Sequence, residues 1–283
     1  MALPVKKVHI DTAHKTADST SNSSFRFTLA ESVTLPDNCV FYVDDVCLPH
    51  AWYTIETGLN DRFFIVIYVN GVPAYEAVTL PSKVYTGTLL ATELATALNA
   101  TGPANRPTTF TVTFDAAQNT IAITSLYADT SFQVLTSKDL ATKLNGAWSG
   151  LAYDAQRPRD INGEMLKQTE GVSSVIPYGT TWYSGVLSLQ PIRSVYLYSP
   201  NLGSYHTFGP NGEASIIKVI PVSAGPGFMI FDQVVSGNDY LDCSRQSLRT
   251  LEFQLRDVNG NLVPLHGSHL SFSIVFDVLD TRS

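Results

Sequence analysis

The chain has 283 residues, of which 44% are hydrophobic and only 15% are charged, and its formal net charge is −7. This length fits one large or two modest domains, and the charged fraction is well below the roughly 25% of an average soluble domain. The low charge favours a protein whose surface is partly covered by partners, although it is also compatible with a monomer. No run of lysine or arginine is present, which argues against strong binding to nucleic acid, because that binding depends on basic residues.

The amino terminus shows no targeting or membrane signal. Its first residues, MALPVKKVHIDT, lack the apolar core of a signal peptide, and no apolar run approaches the about 18 residues of a membrane helix. We therefore expect a protein without a membrane span, made in a reducing compartment and not secreted. Cys39, Cys47 and Cys243 lack metal-type spacing, so buried reduced thiols are expected, with a disulfide or redox role as the alternative.

The first 24 residues read as an arm rather than as a packed element. A short apolar piece at residues 5–10 is followed by a polar, aperiodic stretch of small residues at 11–24. Such composition does not bury enough apolar surface to order itself. We expect an extended amino-terminal arm that a neighbouring molecule orders.

Strand patterns begin at residue 25. Phe25, Phe27 and Leu29 alternate with polar residues, which is typical of a half-buried strand. Residues 39–48 are more densely apolar, as in a strand covered on both faces. Further along, Asn70-Gly71 separates two apolar runs and predicts a hairpin with a type I′ turn.

One helix stands out between residues 86 and 99. Leu90, Leu94 and Leu98 share one face, and Thr86 or Thr88 can cap its start. A second hairpin, a short strand and a short helix are predicted after it, followed by an irregular polar stretch. These segments lie at residues 109–114 and 120–125, 132–135, 138–144, and 149–172.

Beyond about residue 171 the pattern contains strands only. Turn-forming Gly, Pro and Asn residues separate the strands, and the six predicted strands cover 181–190, 194–199, 214–222, 228–235, 248–257 and 270–278. Together with the strands at 25–29 and 39–48 they make eight.

The predicted fold is all-β: a single jelly-roll β-sandwich of eight antiparallel strands, with an inserted small α+β domain that contains one main helix. The expected organisation is an amino-terminal arm at 1–24, a jelly roll at 25–55 and 171–283, and an insertion at 56–170 with the order β-hairpin, helix, β-hairpin.

The sequence contains no recognisable catalytic or ligand-binding motif. The nucleophile elbow, phosphate loop, zinc-protease and dinucleotide motifs are all absent. His266 and His269 lack a third ligand nearby, so loop hydrogen bonds are expected rather than a metal. Asp257–Asn261 is a hairpin turn that lacks the acidic end of a calcium loop, and Gly225–Gly227 is a turn. We predict no catalytic, cofactor-binding or metal residue, no cofactor, and no enzyme.

Two polar features of the sequence have more than one interpretation. Asp44 and Asp45 lie within a densely apolar strand, where one side chain points outward and the other needs a hydrogen bond or an ion pair. Tyrosines are frequent in the carboxy-terminal part and suit either protein contacts or ordinary packing. They are Tyr178, Tyr183, Tyr196, Tyr198, Tyr205 and Tyr240.

The last hundred residues resemble a known family. Four stretches carry the likeness: IRSVYLYSPNLG (192–203), GEASIIKVIPV (212–222), GFMIFD (227–232) and LRTLEFQLRDVNGNLVPLHGSHLSFSIVF (248–276). Their order is similar to the carboxy-terminal half of the minor capsid, or penton, proteins of polinton-like viruses, adintoviruses and virophages. The ending, with its strand, D-x-x-G-N turn, His-Gly loop and alternating strand, is the most specific part.

Membership of this family implies a structural virion protein. The resemblance implies a single jelly roll that forms homopentamers at the five-fold vertices of an icosahedral capsid, beside a double-jelly-roll major capsid protein. It also implies synthesis in the host cytoplasm, and an insertion that projects outward to meet a host receptor or a fibre. We further expect the arm at 1–24 to dock on an adjacent major capsid subunit.

Two other classes of function are compatible with parts of the sequence. A carbohydrate- or receptor-binding module, of the lectin or fibre-head kind, would use the tyrosines together with Trp148 and Trp182 as stacking platforms. An enzyme such as a cupin or a glycosidase is the second rival. A cupin requires a clustered His/Glu metal set, which this sequence does not show.

Overall fold

The computed structural model describes residues 6–101, 110–136, 138–140, 160–169, 173–202, 207–210, 212–236 and 239–278. The chain divides into two compact units. Unit 1 comprises Met1–Trp52 and Ile192–Ser283, and unit 2 is Tyr53–Pro191. These bounds differ from the predicted insertion at 56–170, chiefly because residues 173–191 lie in unit 2 and not in the jelly roll.

Unit 1 contains two antiparallel sheets. The five-stranded sheet has the order β1-β15-β3-β12, with β13 pairing β3 beside β12. Its strands are β1 (Lys6–Asp11), β3 (Cys39–Pro49), β12 (Met229–Asp232), β13 (Leu241–Asp242) and β15 (Ser271–Val278). The four-stranded sheet has the order β11-β10-β14-β2. Its strands are β2 (Ser24–Thr34), β10 (Ser194–Tyr198), β11 (Ile216–Pro221) and β14 (Ser247–Arg256).

The strand order is that of a jelly roll. When the two-residue β13 is set aside, the described residues of unit 1 form eight strands, and consecutive ones mostly alternate between the two sheets. Numbered along unit 1, one sheet reads 1-8-3-6 and the other reads 2-7-4-5, which is the arrangement of two interlocked Greek keys. The predicted all-β jelly-roll class is therefore confirmed.

The core of the sandwich comes from alternate residues of both sheets. Leu251, Phe253 and Leu255 of β14 are fully buried while their neighbours are partly exposed, as the two-residue period of a strand requires. The Phe253 ring meets Phe272 of the other sheet edge-on, with ring centroids 5.1 Å apart. Such contacts close the two layers on each other.

The membership of the eight strands differs from the prediction in one place. Residues 181–190 do not form a jelly-roll strand; only β9 (Thr181–Tyr183) is extended, and it pairs β7 (Thr120–Ser125) in unit 2. Its place in the sandwich is taken by β1. The alternation around Trp182 and Tyr183 indicated a strand correctly, but a period of two does not specify the sheet that a strand joins.

The structure also differs from the expectation of a free arm at 1–24. Strand β1 pairs β15 over six residues, from Lys6 opposite Phe276 to Asp11 opposite Ser271. Thr12 is fully buried and its backbone N–H donates to the Leu270 carbonyl at 3.0 Å. Hydrogen bonds from polar side chains, rather than buried apolar groups, hold the rest of this segment in place. Asn22 Nδ2 donates to the backbone carbonyls of Gly267 and Ser268 at 3.1 and 2.8 Å.

The described part of unit 2 contains two three-stranded sheets and one long helix. The sheet orders are β5-β4-β8 and β6-β7-β9, and helix α1 (Gly87–Ala100) packs against β6. The remaining strands are β4 (Arg62–Val69), β5 (Val72–Thr79), β6 (Phe110–Asp115) and β8 (Thr130–Val134). A turn of π-helix at Ile161–Met165 completes the described part of this unit.

Local signals in unit 2 behave as the sequence predicts. Thr86 caps α1 by accepting a hydrogen bond from the Leu89 N–H at 3.2 Å. Asn70 and Gly71 both have positive φ, 49° and 77°, as a type I′ turn requires. Of the predicted short helix at 138–144, residues 138–140 are helical and 141–144 lie outside the described residues. Within the described residues, no helix has the length and apolarity needed to cross a membrane.

Candidate assembly surfaces

The sandwich of unit 1 has two flanks, at which the end strands of both sheets meet. We call β1, the 3-10 turn Thr12–His14 and β2 the amino-terminal flank, and β11, β12, β13 and residues 222–236 the β12 flank. Ion pairs join the two sheets at each flank. Lys6 of β1 meets Glu31 of β2 at 2.5 Å, and Lys218 of β11 lies 3.8 Å from Asp232 of β12.

The amino-terminal flank is polar and internally paired. Lys7 Nζ lies 3.0 Å from an Asp44 oxygen and 2.8 Å from an Asp45 oxygen. The hydrogen bond from Lys7 lowers the pKa of Asp45, and the two carboxylates raise the pKa of Lys7. Arg26 pairs Asp18 and Glu252. These side chains are between 23% and 59% exposed, so the pairs contribute little to the stability of the fold.

A β-bulge explains why adjacent aspartates reach the same lysine. The register between β15 and β3 shifts between Ser271 and Ser273, so that two residues of β3 oppose one of β15. Asp45 has φ 51° at this point. A bulge interrupts the in–out alternation, and both carboxylates therefore face solvent. The expectation that one of the two points outward while the other is paired holds only in part, since both point outward and both pair with Lys7.

An open groove of about 410 Å³ lies on the amino-terminal flank. Among its lining residues are His9, Asp11, His14, Phe27, Asp45 and Ser273. His9 Nδ1 and Ser273 Oγ are 2.8 Å apart. The groove thus combines aromatic and imidazole rings with carboxylates, and its volume lies within the range of sites that accept a ligand-sized group.

The β12 flank is apolar and exposed. Phe228 is 70%, Phe231 64% and Val234 75% exposed, whereas Ile230 between them is 1% exposed and belongs to the core. Among the described strands β12 pairs only with β3, so it is a sheet edge. An exposed edge with large apolar side chains is a template for binding another chain.

His50 fixes the turn that leads into β12. Its backbone N–H donates to the Phe228 carbonyl, and its backbone carbonyl accepts from the Gly227 N–H, both at 2.9 Å. Its ring Nδ1 lies 2.7 Å from the Ala224 carbonyl. The imidazole stacks on Trp52 with centroids 4.1 Å apart. Burial lowers the pKa of His50. The apolar residues of β12 are therefore presented by a rigid turn.

The residues considered for metal or nucleotide chemistry do not assemble into a site. His269 Nδ1 lies 3.2 Å from Thr12 Oγ1, a loop hydrogen bond. Asp257 accepts from the Asn259 and Asn261 N–H groups, as a hairpin turn does. In the described part of the chain no group of three His, Cys, Asp or Glu side chains is placed to hold a metal ion.

The three cysteines are free thiols, with Cys39 and Cys243 fully buried and Cys47 partly buried. Burial raises the thiol pKa of both Cys39 and Cys243, so these two groups are protonated and poor nucleophiles at neutral pH.

The tyrosines do not form one surface. Tyr178 and Tyr183 of unit 2 are exposed, Tyr198 is buried in the sandwich, and Tyr240 packs edge-on against Tyr42 with ring centroids 5.0 Å apart. Trp182 is half-buried against the unit 2 core. Tyr205 and Trp148 lie outside the described residues.

Sequence reasoning placed a strand at 228–235 but did not single out its exposed face. The available signal was that Phe228, Met229, Ile230 and Phe231 are apolar on both faces. This pattern normally marks a strand that is covered on both sides, and in the described structure only the Ile230 side is covered.

The fold defines the chain as a single jelly roll with a large insertion between its third and fourth strands. A similar solved structure is that of the mavirus penton protein, with 10% sequence identity, a TM-score of 0.51, and coverage of 96% of this chain and 99% of that chain. The Sputnik virophage structure is also similar, with 13% identity, a TM-score of 0.42, and coverage of 96% and 97%.

No protein-family model and no curated protein matches the sequence. At 10% identity the likeness to the mavirus protein is one of fold.

Proposed function

We propose that this chain is a structural virion protein: a minor capsid, or penton, protein that forms homopentamers at the five-fold vertices of an icosahedral capsid. The observation that carries the proposal is the jelly-roll topology, with an insertion after the third strand, whose likeness to the mavirus penton protein extends over nearly the whole of both chains. The resemblance of residues 192–276 to the penton family, which rests on the sequence alone, supports the same function.

The structure suits assembly better than chemistry. The described residues bring together no metal-binding cluster, and the prominent surface of unit 1 is an apolar sheet edge. We therefore propose a protein without enzymatic activity. Its partners are further copies of itself and a double-jelly-roll major capsid protein. The net charge of −7 gives no basis for strong binding to the genome.

Unit 2 is the part that we propose projects from the vertex. It is a continuous insertion, Tyr53–Pro191, with its own core. A host receptor or a fibre is the proposed contact. The chain is made in the host cytoplasm and located in the virion.

Imaging of assembled particles tests this function. We expect co-expression with the major capsid protein of the same virus to give particles with density for five copies at each vertex. Omission of this chain should leave those vertices empty. Particles whose vertices are filled equally well without the chain would rule the proposal out.

A carbohydrate- or receptor-binding module is the alternative function. The exposed Tyr178 and Tyr183, next to the half-buried Trp182, favour it because exposed aromatic faces stack on sugar rings. Saturable glycan binding by a monomer that never enters particles would establish this function instead. Tyr183→Ala should then abolish that binding, while Val72→Ala, at another exposed site of unit 2, leaves it unchanged.

A further inference from the structure

We propose that the β12 flank of one copy binds the amino-terminal flank of a second copy. The inference rests on the proposed function, because it names the two surfaces through which a ring of identical subunits closes.

The first argument is the apolar character of β12 on both faces. Met229 and Phe231 point away from the core side that Ile230 occupies, and Phe228 and Val234 extend the exposed area at both ends of the strand. Exposing these four large apolar side chains to water costs free energy in proportion to their exposed area. A contiguous exposed apolar surface of this kind marks a site at which a partner binds.

The second argument is geometric. Strands β1 and β12 are the two ends of the same sheet, so they face opposite directions across the sandwich. A contact between the β12 end of one copy and the β1 end of the next uses two different surfaces of the same molecule. Repetition of such a heterologous contact generates a ring when the rotation closes. A contact of β12 with itself would end at a dimer.

The third argument is charge. The β12 flank, residues 216–236 and 241–242, contains two aspartates and one lysine, whereas the amino-terminal flank, residues 6–14 and 24–34, contains two lysines and one arginine against one aspartate and one glutamate. The flank segments thus differ in the sign of a small net charge, which gives a weak preference for contact between unlike flanks because Lys6 and Lys7 are already paired with carboxylates. Together with the projecting rings of one flank and the groove of the other, this preference makes a second copy, presented by its opposite flank, the occupant.

The fourth argument is shape. The amino-terminal flank carries the groove lined by His9, His14 and Phe27, and the β12 flank carries projecting phenyl rings held by the His50 turn. An aromatic anchor on a rigid element that enters a preformed pocket is the usual centre of a protein interface.

Sedimentation velocity of the purified full-length chain provides the test. The wild-type chain should sediment as a ring, and Phe231→Asp should sediment as a monomer. Val72→Asp is the matched control, since Val72 is 64% exposed in unit 2, and it should keep the ring. Circular dichroism of each variant verifies that the fold is retained.

A mixing experiment separates this interface from any other. A second variant, His9→Glu with His14→Glu, adds two carboxylates to a groove that already contains Asp11 and Asp45, and it should also be monomeric. A mixture of this variant with Phe231→Asp offers one intact flank of each kind, so it should form one-to-one dimers and nothing larger. Absence of dimers in the mixture would show that the two flanks do not bind each other.

The outcomes distinguish the inference from the proposed function. A wild-type ring that survives Phe231→Asp overturns the inference and leaves the function standing. A wild-type chain that remains monomeric at every concentration also overturns it, and vertex density in particles then decides the function separately.

Discussion

His50 connects the end of β3 to the turn before β12, and its protonation state matters because its ring is almost entirely buried. Only 5% of the residue is exposed, and burial lowers the pKa of the imidazole below its ordinary value of 6.5. The unfolded chain therefore binds a proton at a higher pH than the folded chain does. Above pH 6.5, the ordinary pKa, the neutral imidazole of His50 makes its full contribution to stability. That contribution is lost as the pH falls from 6.5 through the lowered pKa of the folded state.

We expect acidification from about pH 7.5 to about pH 5 to lower the thermal midpoint of the wild-type chain. His50→Gln retains a donor for the Ala224 carbonyl but does not titrate, so its midpoint should fall less over the same range. Differential scanning fluorimetry of both proteins at each pH measures the difference. Identical pH slopes would mean that His50 has no part in the acid response.

Individual residues also mark where sequence reasoning reached its limit. Asp44 and Asp45 were recognisable as carboxylates that needed partners, but Lys7 lies 37 positions before Asp44 in the chain. Neither a period nor a motif links residues so far apart. The bulge that turns both carboxylates outward also leaves no local pattern, since it depends on the register of β15.

At the scale of elements, the local rules succeeded wherever one segment contains its own signal. Helix α1 begins one residue after the predicted cap, and the Asn70-Gly71 hairpin forms as expected. Strand β1 was missed because its six residues precede a polar stretch, and its partner β15 is the last strand of the chain. Segment 181–190 was assigned to the wrong sheet for a similar reason: the choice of partner strand is a tertiary property.

The π-helical turn at Ile161–Met165 shows how an irregular segment acquires structure. Asn162 Oδ1 accepts from the Phe64 N–H at 2.8 Å, and its Nδ2 donates to the Phe64 and Leu135 carbonyls at 2.8 and 2.9 Å. The Asn162 side chain thereby hydrogen-bonds Phe64 of β4 and Leu135, the residue that follows β8, at the point where the pairing of these two strands ends. Within the polar stretch 149–172, no pattern distinguished this asparagine.

Asn162→Ala should lower the free energy of unfolding of unit 2 by about 2 kcal/mol or more, because the buried backbone groups of Phe64 and Leu135 lose the hydrogen bonds that the Asn162 side chain makes with them. Gln118→Ala, at an exposed turn of the same unit, should change it by less than about 0.5 kcal/mol. Urea denaturation followed by tryptophan fluorescence compares the two. Equal effects would show that the Asn162 contacts are not stabilising.

At the scale of the whole molecule, the two units have separate hydrophobic cores. The cluster around Phe253 and Phe276 lies entirely in unit 1, and the cluster around Leu94 and Phe132 lies entirely in unit 2. Chains with separate cores commonly unfold in more than one step. We therefore expect a substitution in the core of one unit to leave the free energy of unfolding of the other unit unchanged.

Scanning calorimetry should resolve two transitions that respond to different substitutions. Leu94→Ala removes a fully buried side chain of α1 and should lower only one of them, while Leu251→Ala in β14 should lower only the other. Each loss is expected to be about 2–5 kcal/mol, as for other buried leucines. One transition that both substitutions shift would indicate a single cooperative unit.

The pairing of β1 with β15 has a consequence for synthesis on the ribosome. Residues 6–11 lack their hydrogen-bonding partner until residues 271–278 have been translated, whereas unit 2 is continuous and complete once residue 191 has emerged. Domains fold as units while the chain is being made. We therefore expect the insertion to fold first, while Val8 and Ile10 remain without their partner strand until β15 has been made.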